Sequence, residues 1–173
     1  DAWSPGYYRF ALNSSDDVQL NFNAETSQVD SAAPPLPETH YDFSERLQHS
    51  IGAYLVRREE GKTVIAGYPW FLDWGRDTLI CARGYLAAGH HAAVKDLLRV
   101  FGRFEDRGTL PNIIHGADVG NRDTVDAPLW YGVVAEEYAQ QVDADIYSCD
   151  LGDGRTVEQV LRSIAEGYLD GAA

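Results

Sequence analysis

Two short clusters in this sequence combine carboxylates with an arginine and bulky aromatic side chains. The first, Asp-Trp-Gly-Arg-Asp, occupies residues 73–77 and follows Trp70. The second, Asn-Arg-Asp-Thr-Val-Asp, occupies residues 121–126 and precedes Trp130. Charged groups are costly to bury among aromatic rings unless they are paired or serve a function. This density of charges and rings therefore indicates a binding site.

A sugar ring suits the chemistry of both clusters. The faces of a pyranose are apolar and stack on indole or phenol rings, whereas its hydroxyls need charged, bidentate partners. Arg76 and Asp77 are adjacent, so together they can donate to and accept from neighbouring hydroxyls. A structural interpretation stays open beside this one. Asp77 and Asp126 both suit the N-cap of a helix, and a single tryptophan is often a core residue.

Helical spacing of apolar residues predicts the elements that position these clusters. The predicted helices cover about 41–55, 77–88, 90–104, 126–142 and 156–169. Asp42 with Glu45, and Thr156 with Gln159, have the spacing of capping boxes. The run 77–88 is apolar on most sides, which is typical of a buried helix, and we expect its Cys81 to be a buried free thiol.

The remaining segments divide the chain. Residues 1–30 alternate like strands and predict a β-hairpin or extended segment. Residues 31–40 are rich in proline and predict a linker, so residues 41–173 form the helical domain. The stretch 108–125 is long for a loop in a helical domain, and loops of that length are commonly functional.

Composition excludes several classes of function. The formal charge of −13 argues against nucleic acid and anionic membranes as partners, because both need a basic surface. The two cysteines have no disulfide or metal pattern, and the absence of a glycine-rich phosphate loop argues against nucleotides; we predict no metal and no cofactor. No apolar run approaches a membrane span and no signal peptide opens the chain, so we predict a cytoplasmic location. Because the chain contains no methionine, we expect it to be an internal piece of a longer protein.

Three segments carry a family resemblance. AGYPWFLDWGRDTLI, GTLPNIIHG and DTVDAPLWY together resemble the C-terminal, amylo-α-1,6-glucosidase region of glycogen debranching enzymes, in that family's order. The resemblance covers about residues 41–142 and implies an (α/α)6 toroid. It also implies hydrolysis of α-1,6-linked glucose on a branched α-glucan such as glycogen. Since the complete toroid has more helices than this chain, we expect a mainly α fold that is the first half of the glycosidase domain.

The resemblance also implies roles for individual residues. Arg76 and Asp77 would hold hydroxyls of the terminal glucose, while Trp74 and Trp130 would line the sugar site. Asp126 matches the position of the general acid. Additional candidates for substrate binding are Trp70 and Asn112.

The second carboxylate of an inverting mechanism would lie roughly 6.5–9.5 Å from the acid. In the family it belongs to a downstream segment that this sequence does not match. We therefore predict that this piece alone is inactive. The uncovered faces of half a toroid would also favour self-association, as a homodimer.

The acid role of Asp126 conflicts with its place at a helix start. A helix N-terminus lowers the pKa of a carboxyl group, whereas a general acid must retain its proton. Burial against Trp130 and Tyr131, with Asp123 nearby, would raise the pKa; Asp123 is the alternative acid if Asp126 is exposed and capping. Two other functions stay open: a glucoamylase-like or trehalase-like α-glucoside hydrolase of the same toroid, and a non-catalytic helical carbohydrate-binding module.

Overall fold

A computed structural model describes residues 41–58, 61–116 and 118–171. The predicted strands of residues 1–30 and the predicted linker 31–40 lie outside the described residues. The prediction of a mainly helical chain is confirmed for the part that is described. Its elements are α1 (Phe43–Gly52), β1 (Leu55–Arg58), β2 (Gly61–Val64), β3 (Asp73–Trp74), α2 (Gly75–Ala87), α3 (His91–Arg103), β4 (Ile113–Ile114), α4 (Ala127–Gln141), a 3-10 helix (Ala144–Ser148) and α5 (Val157–Asp170).

The first helix is shorter than its apolar spacing predicted. The predicted capping box is present, since Asp42 and Glu45 exchange side-chain bonds with each other's backbone N–H. However, α1 ends at Gly52, and Leu55 begins a strand instead of continuing the helix. β1 pairs antiparallel with β2 in the register Leu55 opposite Val64. Valine and threonine favour strands in this segment, and a short apolar run does not distinguish a strand from a helix by spacing.

Helices α2 and α4 lie side by side and run in the same direction. Arg76 in the first turn of α2 pairs with Asp126, which directly precedes α4. Two turns later in α2, Arg83 pairs with Glu137 near the end of α4. The second pair lies closer to the C-terminus than the first in α2 and in α4 alike, so the two helices are parallel.

Helix α3 covers one side of this pair, and α5 packs on α3 and α4. The predicted apolar stripe of α3 is buried, with Leu97, Leu98 and Phe101 fully inaccessible. Tyr131 of α4 is also fully buried, and its hydroxyl donates to the carbonyl of Leu98 at 3.1 Å. The helices therefore form two layers, α2 with α4 and α3 with α5, that share one core.

The prediction that α2 is a buried helix is wrong for one of its faces. Arg76, Asp77 and Arg83 lie on an exposed face of the helix, where Ile80 is 42% exposed. Cys81 is an exposed free thiol, not a buried one. Composition alone failed here because small and apolar residues do not reveal which side of a helix has a neighbour.

Several other apolar side chains are uncovered. On α1, Phe43 is 78% and Leu47 is 55% exposed, and on α4, Leu129 is 53% exposed. In the segment between β2 and β3, Trp70 is 83% exposed. The described residues thus carry apolar surface on α1, on α4 and in that segment.

The loop after α3 is tied to α5 through a buried carboxylate. The Glu105 side chain is 1% exposed and accepts from Arg155 Nη1 at 2.8 Å. It also accepts from the Ser163 hydroxyl at 2.6 Å and from the Gly108 backbone N–H at 2.7 Å. A Cβ on Gly108 would lie 2.8 Å from the Cα of Gly167, so the loop backbone rests directly on α5. These contacts fix the chain that leads into the second cluster.

Candidate functional site

The long loop 108–125 returns to the first cluster and pairs with it. β4 pairs antiparallel with β3, with Asp73 opposite Ile114 and Trp74 opposite Ile113. The N–H of Gly75 then donates to the carbonyl of Asn112 at 2.9 Å. A Cβ on Gly75 would lie 2.5 Å from the Pro111 carbonyl oxygen, closer than Cβ atoms approach in proteins. The glycine in Trp-Gly-Arg-Asp is therefore required by the close approach of this loop.

Asn112 also connects the two clusters through its backbone. Its carbonyl accepts from Gly75 of the first cluster, and its N–H donates to the carbonyl of Asn121 in the second at 2.8 Å. The predicted binding role of its side chain stays a prediction. The backbone of Asn112 sets the separation of the two clusters.

Arg58 fixes the other end of this arrangement. Its Nη1 lies 2.9 Å from Oδ2 of Asp73, whose side chain is 5% exposed. Its Nη2 donates to the Gly116 carbonyl at 2.6 Å. Sequence reasoning missed Arg58, because an arginine at the end of a strand gives no signal of partners that lie so far along the chain.

A bidentate ion pair joins the two clusters. Nε of Arg76 donates to Oδ2 of Asp126 at 2.6 Å, and Nη2 donates to Oδ1 at 2.9 Å. The Thr124 hydroxyl donates to the same Oδ1 at 2.9 Å. The side chains of Arg76 and Asp126 are 52% and 35% exposed, so the pair is open to solvent and to a ligand.

These donors stabilise the ionised form of Asp126. The hydrogen bond from Arg76 is the main reason that the pKa of Asp126 is lowered to about 2, and the Thr124 hydroxyl lowers it further against the opposing effect of burial. The same pair raises the pKa of Arg76. In this arrangement Asp126 is a carboxylate at neutral pH and carries no acid proton.

The capping interpretation is wrong for both aspartates. Asp126 occupies the N-cap position of α4, but its side chain makes no capping hydrogen bond. Asp77 lies in the first turn of α2, whose N-cap is Trp74. Neither carboxylate is used to satisfy a helix start by side-chain capping.

Asp77 faces a different hollow from the ion pair. A cavity of about 380 Å³ lies between α1, the end of β2 and α2, and Asp77 is the one charged residue among the described residues of its lining. The other residues of the lining include Ile51, Tyr54 and Ile80. Arg76 and Asp126 do not line this cavity. The structure thus brings Arg76 and Asp126 together and places Asp77 on an adjacent, mainly apolar surface.

The aromatic candidates differ in their surroundings. Trp74 and Trp130 are partly buried, whereas Trp70 is mostly exposed. The guanidinium of Arg83 lies 5.6 Å from the centre of the Trp130 ring, a distance typical of a cation–π contact. Asp123 is exposed. Trp130 is therefore the aromatic candidate on the helix that Asp126 precedes, one turn beyond the ion pair.

Comparison with known proteins decides the family. The family model described as amylo-alpha-1,6-glucosidase matches residues 47–173. The chain belongs to this family. No curated protein matches it, and no solved structure matches it.

Membership of the amylo-alpha-1,6-glucosidase family confirms the resemblance that the three segments carry. The match includes both clusters and the loop between them, so the ion pair lies within the family's domain. The family is one of glycoside hydrolases, which gives the chain its general hydrolase nature.

Two further observations describe this glucosidase-family chain. Within residues 41–58, 61–116 and 118–171, no three His, Cys, Asp or Glu side chains are grouped closely enough to hold a metal ion. None of the helices in those ranges has the length and apolarity that a membrane span requires.

Proposed function

We propose that the chain carries the acid side of a glycoside hydrolase site that removes α-1,6-linked glucose from branched α-glucans such as glycogen. The observation that supports this most is the Arg76–Asp126 pair, which joins two clusters 50 positions apart in the sequence on one solvent-exposed site. The family match supplies the reaction class.

Arg76 grips the terminal glucose in this proposal. Two of its N–H groups contact Asp126 before the sugar binds. The remaining N–H groups of the guanidinium meet the sugar hydroxyls first, and the guanidinium then turns from Asp126 to the sugar. Asp77, which lines the adjacent hollow, accepts from a hydroxyl at that edge of the sugar. Trp74 and Trp130 pack against the apolar faces of the ring. Trp70 and Asn112 contact parts of the glucan beyond the terminal glucose.

Asp126 acts as the general acid once the sugar is bound. While Arg76 donates to it, the pKa of Asp126 is about 2 and the group is ionised. A glucose that takes over the Arg76 donors removes the main cause of the lowered pKa, and burial under the sugar then raises it. The substrate thereby converts a carboxylate into an acid that protonates the glycosidic oxygen.

The second carboxylate and the closing helices complete the site from outside this chain. In the proposed toroid, α2 and α4 are inner helices and α3 and α5 are outer ones, which agrees with the two layers and with the common direction of α2 and α4. The chain alone binds glucan but does not hydrolyse it. The protein acts in the cytoplasm, where glycogen is a substrate.

Binding of a branched oligosaccharide tests the proposal. A maltooligosaccharide that carries an α-1,6-glucosyl branch is titrated into the 173-residue chain, and amide NMR shifts are followed. We expect shifts around the ion pair that Arg76→Gln abolishes. Arg162→Gln is the matched control, because Arg162 forms an exposed pair within α5.

The outcomes separate the alternatives. Stronger binding of a linear oligosaccharide than of the branched one favours a glucoamylase-like enzyme. The low pKa of Asp126 also suits a site that only binds sugar. Hydrolysis is therefore measured in a protein that includes the second carboxylate, with and without Asp126→Asn. Unchanged hydrolysis in that variant, with hydrolysis lost in Asp123→Asn, assigns the acid to Asp123. The absence of hydrolysis in both the unchanged protein and the variant identifies a binding module.

A further inference from the structure

Thr124 lies in the second cluster but was not among the predicted catalytic or substrate-binding residues. It contacts the carboxylate of Asp126 directly. It is 7% exposed, and its hydroxyl donates to Oδ1 of Asp126 at 2.9 Å. A buried hydroxyl that lost this acceptor would be costly. The contact is therefore a defined part of the site and not a chance surface bond.

The backbone around Thr124 is held from several sides. The N–H of Thr124 donates to the carbonyl of Arg122 at 2.7 Å. The guanidinium of Arg122 donates to the Phe104 carbonyl at 2.7 Å, and the Tyr168 hydroxyl of α5 donates to the Val125 carbonyl. Because the backbone is fixed before and after Thr124, its hydroxyl is presented to Asp126 in one position.

The two oxygens of Asp126 have unequal partners. Oδ1 accepts from the Thr124 hydroxyl and from Nη2 of Arg76, whereas Oδ2 accepts from Nε of Arg76. When Arg76 turns to the sugar, Oδ1 keeps one donor and Oδ2 keeps none of these side-chain donors. A proton on Oδ1 would make that oxygen a weaker acceptor for the Thr124 hydroxyl, whereas a proton on Oδ2 would leave the Thr124 hydrogen bond on the better acceptor.

We propose that Thr124 is the positioning residue for the acid: it holds Oδ1 as an acceptor and so leaves Oδ2 to carry the catalytic proton. This inference rests on the proposed function of Asp126. In the step, the Oδ2–H bond breaks and the proton joins the glycosidic oxygen, which takes the electron pair of the breaking bond to the anomeric carbon. Water, deprotonated by the second carboxylate, supplies the new hydroxyl, and Oδ1 of the Asp126 carboxylate still accepts from Thr124.

A neutral hydroxyl suits this role better than a second cation. A charged donor holds a carboxylate ionised, whereas a hydroxyl stabilises it less strongly and allows reprotonation. Thr124 can therefore orient the carboxyl group without preventing it from acting as an acid.

Carboxyl titration in the Arg76→Gln background tests the contact. Removing Arg76 removes the main cause of the lowered pKa of Asp126, so the pKa rises toward its ordinary value, and side-chain ¹³C shifts report it. We expect Thr124→Val to raise that pKa by roughly one pH unit, since a hydrogen bond to a charged group is lost. Thr124→Ser keeps the hydroxyl and leaves the pKa unchanged.

Thr78→Val is the matched control for the loss of a buried hydroxyl. Thr78 is also buried, but its hydroxyl donates to the Val64 carbonyl and not to Asp126. We expect no change in the Asp126 pKa. An unchanged pKa in Thr124→Val, or an equal rise in Thr124→Ser, overturns the positioning role.

An atomic-resolution structure of the Arg76→Gln variant below its Asp126 pKa tests the oxygen assignment. The protonated oxygen has the longer bond to Cγ, so we expect a longer Cγ–Oδ2 bond; a longer Cγ–Oδ1 bond overturns the assignment. Neither experiment uses glucan, so its result does not depend on sugar binding. If glucan fails to bind while Thr124→Val raises the pKa, the proposed function fails and the contact stands. If glucan binds and the pKa does not move, only the role of Thr124 fails.

Discussion

Gly75→Ala is the most direct test of how the loop and the first cluster fit together. The new Cβ would lie 2.5 Å from the Pro111 carbonyl oxygen, while ordinary contacts begin at 3.4 Å. The loop or the start of α2 must therefore move by about 0.9 Å. The hydrogen bond from the Gly75 N–H to the Asn112 carbonyl, now 2.9 Å, would lengthen or break.

The expected loss of stability follows from these two effects. Overpacking against a fixed backbone costs about 1–3 kcal/mol, and a buried backbone hydrogen bond contributes about 1 kcal/mol. We expect Gly75→Ala to lower the free energy of unfolding by about 2–4 kcal/mol. Because Arg76 is the next residue, its contact with Asp126 should weaken and the pKa of Asp126 should rise.

Gly84→Ala is the matched control in the same helix. A Cβ there meets only Ile51 Cδ1, at 3.9 Å. Alanine is the better helix former by about 1 kcal/mol, so this variant should be slightly more stable than the unchanged chain. Urea unfolding at neutral pH measures both variants. Equal stabilities for the two variants would refute the claim that the loop makes this glycine necessary.

Arg76→Gln should raise the pKa of Asp126 from about 2 toward its ordinary value. The lowered pKa contributes stability that is present above about pH 4 and is lost as pH falls toward about 2. The free energy of unfolding of the variant should therefore depend less on pH between about pH 4 and 2. Arg155→Met leaves Glu105 buried without its cation and should cost about 3 kcal/mol in urea unfolding, whereas Arg162→Met at an exposed pair should cost under about 0.5 kcal/mol. Sedimentation at micromolar concentration should show self-association, because of the exposed apolar side chains of α1 and α4, and a monomer would contradict it. Calorimetry in buffers of different ionisation enthalpy should show proton uptake when branched glucan binds near pH 5, and heats that do not depend on the buffer would contradict the conversion of Asp126 into an acid.

Local sequence signals predicted the elements whose stability is local. The Thr156–Gln159 capping box is present at the start of α5, as is the Asp42–Glu45 box at the start of α1. Each depends only on side chains three residues apart. The sequence also predicted the apolar stripe of α3, because in a helix buried on one side the apolar residues recur at the helical period.

The sequence did not predict features that depend on contacts between residues far apart in the chain. The exposed face of α2 and the exposed Cys81 depend on which helices pack nearby. The ladder between β3 and β4 involves two residues on each strand, too few to give an alternating pattern. Likewise, the clusters could be found by their density of charges and rings, but the roles of Arg58 and Thr124 appear only when the loop is in place.

The conflict around Asp126 that the sequence raises has a physical source in the structure. The sequence predicted that a helix start would lower the pKa of this carboxyl group, yet its side chain makes no capping bond, and Arg76 is the main cause of the lowering. This difference matters because a helix start cannot be removed during a reaction, whereas an exposed guanidinium can be drawn away by the hydroxyls of a sugar. A pKa held low by Arg76 is therefore reversible. In the proposed mechanism Arg76 therefore has two roles: it binds glucose, and it controls when Asp126 can hold a proton.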